Sequence, residues 1–149
     1  MSLCPSSETK QNMIQKDYML RMIEMLGDLL AAVFGLIRKG DYERATERLN
    51  QIYYDMLKQD AAFFRNLDVD DMTDKLLNEH NFTNGHLEIL AELFNAEAEI
   101  AIIKGDTENA RSYSAKALIL FEYVDKAYRT YSQDRIDKMN KLRERIARP

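Results

Sequence analysis

The chain contains the phrase Lys39-Gly40-Asp41-Tyr42-Glu43-Arg44-Ala45, and five of its seven residues recur 65 positions later in Lys104-Gly105-Asp106-Thr107-Glu108-Asn109-Ala110. Each copy follows an apolar run with helical spacing and precedes another. Glycine ends a helix readily because it adopts the left-handed conformation without a Cβ penalty. Aspartate begins the next helix by accepting hydrogen bonds from its free N–H groups. The repeated phrase therefore predicts two helix–turn–helix hairpins.

The composition favours an all-α protein of one domain. The 149 residues suit a single core, and only three are valine, so the usual strand signal is weak. Pro5 and Pro149 are the only prolines, and nothing between them forces a helix to break. We expect residues 1–9 to be a disordered N-terminus or residues added for expression. The single domain over 10–149 is expected to contain helices near 11–38, 42–58, 70–80, 86–103, 107–131 and 133–147.

The first predicted helix is apolar on several sides. Its charged residues Asp17, Arg21, Glu24 and Asp28 are spaced 4, 3 and 4 apart and form one polar stripe, while residues 29–37 carry no polar side chain. A helix of this kind needs several partners, and one short chain offers few. We therefore expect part of it to pack against a second copy in a two-fold dimer. The candidates for core and interface anchors are Met19, Met22, Ile23, Leu26, Leu30, Val33 and Phe34.

Charge is distributed unevenly along the chain. The net charge is −4, which argues against a general nucleic-acid binder. Residues 129–148 nevertheless carry seven Lys/Arg against three Asp/Glu, so the tail is basic and the remainder acidic. The tail is either an electrostatic dock for an acidic surface or a solvated helix face. An RNA-contacting role, the least favoured binding role, would use Arg135, Lys138, Lys141, Arg143 and Arg145.

The phrase Gly40-Asp41-Tyr42-x-x-Ala45 resembles the turn and second helix of a tetratricopeptide repeat (TPR). Ala110 and Ala117 show the seven-residue alanine spacing of that family, and the resemblance covers residues 26–57 and 91–122. The 65-residue offset is near twice the 34-residue TPR period. The resemblance implies stacked antiparallel helix hairpins in a right-handed α–α superhelix with a C-terminal capping helix. It also implies that peptides bind in a groove lined by the first helices.

The first helices of the two copies depart from the residues that the repeat family uses. In the second copy the places of the family's Trp, Leu, Gly and Tyr hold Phe94, Glu97, Ala98 and Ala101. The segment 58–84 lies where a middle repeat would stand, but it lacks the phrase. The stretch Gln15-Lys16-Asp17-Tyr18-x-x-Arg21-Met22-Ile23 is similar to an uncharacterised family of small bacterial helical proteins.

Residues with catalytic or metal-binding chemistry are sparse. His80 and His86 flank a turn without a ligand at helical spacing, and Cys4 is the only cysteine. The acidic group between Asp68 and Glu79 is spaced like a calcium loop, but Met72 and Thr73 stand where an oxygen ligand and glycine are needed. Residues with structural turn roles account for the shared phrase: Gly40, Asp41, Ala45, Gly105, Asp106 and Ala110.

The sequence therefore predicts a non-enzymatic helical scaffold that mediates protein–protein interaction and forms homodimers through its N-terminal helix. The alternatives are a TPR-type peptide-binding adaptor and, less favoured, an RNA-contacting protein. We expect no cofactor and no metal. We also expect no membrane partner, because no apolar stretch reaches the roughly 20 residues that a helix needs to cross a bilayer. A cytoplasmic location is expected, since no apolar signal segment precedes Cys4.

Overall fold

A computed structural model describes residues 7–128 and 131–148, with side chains from Tyr18 onward. Over these residues the protein is all-helical and contains no strand, as the composition predicts. The helices are α1 (Ser7–Arg38), α2 (Tyr42–Leu57), α3 (Ala61–Arg65), α4 (Met72–Asn78), α5 (Asn84–Ile103), α6 (Thr107–Tyr128) and α7 (Gln133–Ala147). Residues 1–6, including Cys4, lie outside the described part, and α1 begins at Ser7 rather than near residue 11.

The two copies of the repeated phrase form the same turn. Gly40 and Gly105 have φ values of 81° and 77°, in the left-handed region. The next backbone N–H reaches back five residues in both copies: Asp41 donates to the Leu36 carbonyl at 2.9 Å, and Asp106 donates to the Ala101 carbonyl at 2.8 Å. This is the hydrogen bond of a Schellman motif. The α1–α2 and α5–α6 hairpins are therefore closed by the same backbone geometry.

The segment between the two hairpins contains the short helices α3 and α4. The apolar residues Phe63 and Phe64 are compatible with an extension of the second helix, but α2 ends at Leu57. Lys58 follows with φ 59° and donates its N–H to the Tyr54 carbonyl, so it supplies the left-handed cap that is usually a glycine. The chain then turns, and Phe64 becomes fully buried in α3.

Helix α5 lies at the centre of the fold. It packs against α1, α2 and α6, it is joined to α7 by ion pairs, and more than half of its side chains are buried. Met19 of α1 lies against Gly85 at the start of α5, while Ile37 and Ile100, late in the two helices, line the same cavity. Helices α1 and α5 therefore run in the same direction, so the two hairpins stack side by side.

Three of the seven predicted core and interface anchors on α1 belong to the core. Leu26, Leu30 and Val33 are 1%, 8% and 1% exposed, and they pack in the chain's own core. They fill that core because their spacing of 4 and 3 residues places them on one side of the helix, facing α2 and α5. The other four predicted residues are partly buried against this core: Met19, Met22, Ile23 and Phe34.

Substitution of Gly85 tests the contact between α1 and α5. A Cβ added there would lie 2.8 Å from Cγ of Met19 and 2.5 Å from its Cε, so Gly85→Ala should lower the free energy of unfolding by about 1 kcal/mol. The control Gly35→Ala meets nothing within 4 Å and should raise it by about 0.5 kcal/mol through helix propensity. Urea denaturation measures both changes, and stabilisation of equal size in both variants would contradict the Met19–Gly85 contact.

Candidate functional site

The basic helix α7 docks on a polar stripe of α5. Glu88, Glu92, Asn95 and Glu99 recur at spacings of 4, 3 and 4 residues and so lie on one face of α5. Nζ of Lys138 lies 2.6 Å from the Glu92 carboxylate. The guanidinium of Arg145 donates to Asn95 at 3.1 Å and to Glu99 at 3.3 Å. Of the two interpretations of the basic tail, the structure therefore shows the electrostatic dock.

Burial sets the electrostatics of the Glu92–Lys138 pair. Desolvation raises the pKa of the Glu92 carboxyl, and the attraction of the Lys138 ammonium opposes that shift only in part. Desolvation also lowers the pKa of Lys138, but attraction to Glu92 and the hydrogen bond between them outweigh it, and the pKa is raised. The ion pair therefore stays together, although burial disfavours the charged forms of both the Glu92 carboxylate and the Lys138 ammonium.

Arg135 anchors the beginning of α7. Its Nε donates to Asp125 at 2.9 Å, its Nη1 lies 4.0 Å from the Glu88 carboxylate, and the residue is 6% exposed. The guanidinium also lies 5.7 Å from the ring centre of Tyr128. Burial and the neighbouring Glu88 raise the pKa of Tyr128 to about 12, although Arg135 opposes the shift. The start of α7 is therefore tied to both α5 and α6.

The docking of α7 bears on both alternative functions. Four of the five cations considered for RNA contact face acidic groups of this chain: Arg135, Lys138, Arg143 and Arg145. Lys141 and Arg143 remain exposed. Helix α7 also covers Glu92 and Asn95, which lie on the stripe of α5 where a peptide groove would be sought.

A second polar cluster is buried on the opposite side of α5. The Glu97 carboxylate accepts a hydrogen bond from the hydroxyl of Tyr53 at 3.1 Å and from Nε of Arg65 at 2.6 Å. Tyr53 is fully buried and Glu97 is 9% exposed. Burial, followed by the negative charge of Glu97, raises the pKa of Tyr53 well above its ordinary value. The cluster thus contains a neutral phenol and a paired carboxylate, which join α2, α3 and α5.

Lys116 of α6 lies beside this cluster and contacts Arg65 of α3. Its Nζ donates to the backbone carbonyl of Arg65 at 3.0 Å and lies 5.8 Å from the ring centres of both Phe94 and Tyr113. Burial lowers the pKa of Lys116, and the charge of Asp68 opposes this. The ammonium is therefore held by a carbonyl and by aromatic faces, and it fixes α3 against α6.

A cavity of about 150 Å³ lies beside the Arg65–Glu97 pair, between the first hairpin and α5. Its apolar wall comes mainly from Ile37, Leu49 and Ile100, and Lys104 lies among its lining residues. Its size corresponds to one amino-acid side chain rather than to a cofactor. A second cavity of about 260 Å³ lies near the turn between α5 and α6 and includes Arg111, Arg145 and Arg148.

The sequence carried one signal for the buried cluster. In the resemblance to a tetratricopeptide repeat, Glu97 takes the place of an apolar leucine, and the residues around it are Phe94, Ala98 and Ala101. A carboxylate in such surroundings requires a cation or hydrogen-bond donors. Its partners Arg65 and Tyr53 are 32 and 44 positions away, so sequence alone could not identify them.

His86 has a structural part in the turn before α5. Its ring Nδ1 accepts a hydrogen bond from the backbone N–H of Thr83 at 3.0 Å. The backbone N–H of His86 donates to the Thr83 hydroxyl at 3.3 Å, and the two bonds form a capping box. Burial lowers the pKa of His86, which favours the neutral ring that this acceptor role needs. Across the described residues, no three His, Cys, Asp or Glu side chains are grouped so that they could hold a metal ion.

The outer face of α1 carries large apolar side chains that nothing in the described chain covers. Tyr18, Leu20 and Met25 are 61%, 53% and 55% exposed. They lie within eight residues of one helix, between charged residues. The exposed part of α1 is therefore a different set of residues from the predicted anchors that fill the core.

The chain matches no protein-family model, and no curated protein or solved structure is significantly similar to it. In the part that the structure describes, none of the helices is both long enough and apolar enough to cross a membrane.

Removal of the Glu97 carboxylate tests the buried cluster. Glu97→Ala leaves the Arg65 guanidinium and the Tyr53 hydroxyl without their acceptor, so the free energy of unfolding should fall by about 3 kcal/mol. Glu47→Ala is the control, because Glu47 is an exposed glutamate of α2, and it should change stability by less than about 0.5 kcal/mol. Chemical denaturation measures both variants, and equal losses would contradict a structural role for the cluster.

Removal of the Lys138 ammonium tests the docking of α7. Lys138→Met should lower the free energy of unfolding by about 1–2 kcal/mol at pH 7, because Glu92 loses its cation. The exposed Lys141 provides the control Lys141→Met, which should have little effect.

The loss in Lys138→Met should also depend on pH. Without the ammonium, the folded-state pKa of Glu92 rises further above its unfolded value of about 4.3. A raised carboxyl pKa confers stability below the unfolded pKa, and this stability disappears as the pH rises through the folded pKa. The deficit relative to the unmodified chain should therefore shrink between pH 7 and about pH 4. A deficit that is constant with pH would contradict the proposed Glu92 partner.

Proposed function

We propose that this chain is a non-enzymatic, TPR-like helical scaffold that binds protein surfaces and self-associates through the outer face of α1. The superhelical arrangement is supported by the two matching Schellman turns and by the common direction of α1 and α5. Helix α7 lies on α5 and α6, in the position of a capping helix.

The exposure of Tyr18, Leu20 and Met25 is the observation that carries the self-association. Single exposed apolar residues are ordinary, but three large ones within eight residues of one helix, in two rows beside a polar centre, favour an interaction surface. The buried polar clusters fasten helices of the chain to one another, and their charged groups are paired. This pairing supports a structural rather than a catalytic role for those groups.

Peptide binding is the second candidate function. The observation that favours it is the 150 Å³ cavity beside Arg65 and Glu97, which joins apolar walls to charged groups. Such a cavity can receive one side chain of an extended partner, with Lys104 available for a polar contact.

Light scattering tests the self-association directly. At micromolar concentration the chain should have twice its 17.4 kDa mass, and Leu20→Glu should return it to the monomer without loss of helix content, because Leu20 is exposed. Tyr54→Glu is the matched control, since Tyr54 is also 53% exposed but lies on α2. A monomer for the unmodified chain, or equal dissociation by both variants, would overturn the proposal.

A further inference from the structure

The outer face of α1 has a polar centre with a row of apolar or small residues on each side. Leu26, Leu30 and Val33 point into the core, so at 100° per residue Arg21, Glu24 and Asp28 point away from it. One flanking row contains Leu20, Gly27 and Ala31, and the other contains Tyr18, Met25 and Ala32. All of these side chains are exposed.

Size and charge change along this face in a regular way. The bulky exposed residues Tyr18, Leu20 and Met25 precede the small ones, which are Gly27, Ala31 and Ala32. No atom lies within 4 Å of where a Cβ of Gly27 would be. The positive charge of Arg21 also lies in the first part, and the negative charge of Asp28 lies in the second. An α1 reversed end to end therefore offers small residues opposite bulky ones and negative charge opposite positive charge.

We infer that the partner of this face is the same face of a second copy, packed antiparallel about a two-fold axis that crosses α1 between Glu24 and Met25. The inference rests on the proposed self-association and specifies its geometry. A perpendicular two-fold axis keeps each flanking row beside its own equivalent. Leu20 then enters the space between Gly27 and Ala31 of the second copy, and Tyr18 lies level with Ala31 and beside Ala32.

The charges agree with the same register. Arg21 lies level with Asp28 of the second copy, and the two-fold axis makes this ion pair twice. Within the part of the chain with described side chains, neither Arg21 nor Asp28 forms an ion pair or hydrogen bond. The two Glu24 carboxylates meet near the axis and oppose the association. A parallel pair would instead place Arg21 level with Arg21 and Asp28 level with Asp28, and it would put the Leu20 row beside the Tyr18 row.

Charge reversal tests the register in solution. Arg21→Asp places two carboxylates at each end of the interface and should weaken dimerisation about tenfold, and Asp28→Arg should do the same with two cations. The double variant R21D/D28R restores opposite charges and should return to within about threefold of the original Kd. Glu24→Gln should strengthen the dimer. Sedimentation equilibrium measures these constants, with circular dichroism to check helix content.

Disulfide trapping tests the direction of packing. In a Cys4→Ser background, Glu24→Cys lies beside its own equivalent across the axis and should form a covalent dimer under mild oxidation. Ala31→Cys lies about 20 Å from its equivalent along the helix axes, far beyond disulfide reach. It should therefore remain uncrosslinked. A parallel pair would crosslink both variants.

The outcomes separate this inference from the proposed function. A monomeric chain overturns both. A dimer that Leu20→Glu dissociates, but in which the double charge reversal fails to recover affinity or Ala31→Cys crosslinks as readily as Glu24→Cys, overturns the antiparallel pairing alone. Selective crosslinking of Glu24→Cys together with recovery by the double reversal supports it.

Discussion

The burial of α5 is the constraint on which the rest of the structure depends. This helix carries Glu88, Glu92, Glu97 and Glu99 while most of its other side chains lie in the core. Buried carboxylates are costly unless cations or hydrogen-bond donors accompany them. Three carboxylates on one face select the basic helix α7, and Glu97 on the opposite face selects Arg65 and Tyr53. The electrostatic needs of one helix therefore determine which elements pack around it.

The elements that sequence reasoning could identify are those specified by local residues. The repeated glycine–aspartate turns depend on a left-handed residue followed by a cap, and both requirements are visible in a short stretch. The buried residues of α2, from Ala45 to Leu57, are all apolar and recur at helical spacing, which is also a local signal. The kind of cap after Leu57 was not predictable in the same way, because Lys58 adopts a left-handed conformation that glycine usually takes.

Long-range partners were beyond sequence reasoning. The sequence shows both the stripe from Glu88 to Glu99 and the basic tail, but each could equally be a solvated helix face. Only the distances between their side chains show that the two pair with each other. On α1, periodicity identified Leu26, Leu30 and Val33 as anchors without indicating whether this chain or another would cover them. Because these three side chains are buried within this chain, the candidate interaction surface consists instead of the exposed Tyr18, Leu20 and Met25.

The two ends of the helix stack differ in how their outer faces are covered. A stacked helical array exposes an outer face at each end, and such faces need a polar surface or a cover. At one end α7 covers the acidic stripe of α5, and its charges match that stripe group by group. At the other end α1 has no covering helix among the described residues, and its outer face mixes charge with exposed apolar side chains. Because charge and side-chain size on that face are complementary to the same face reversed, the second copy that we propose would give this end the cover that the first end receives from α7.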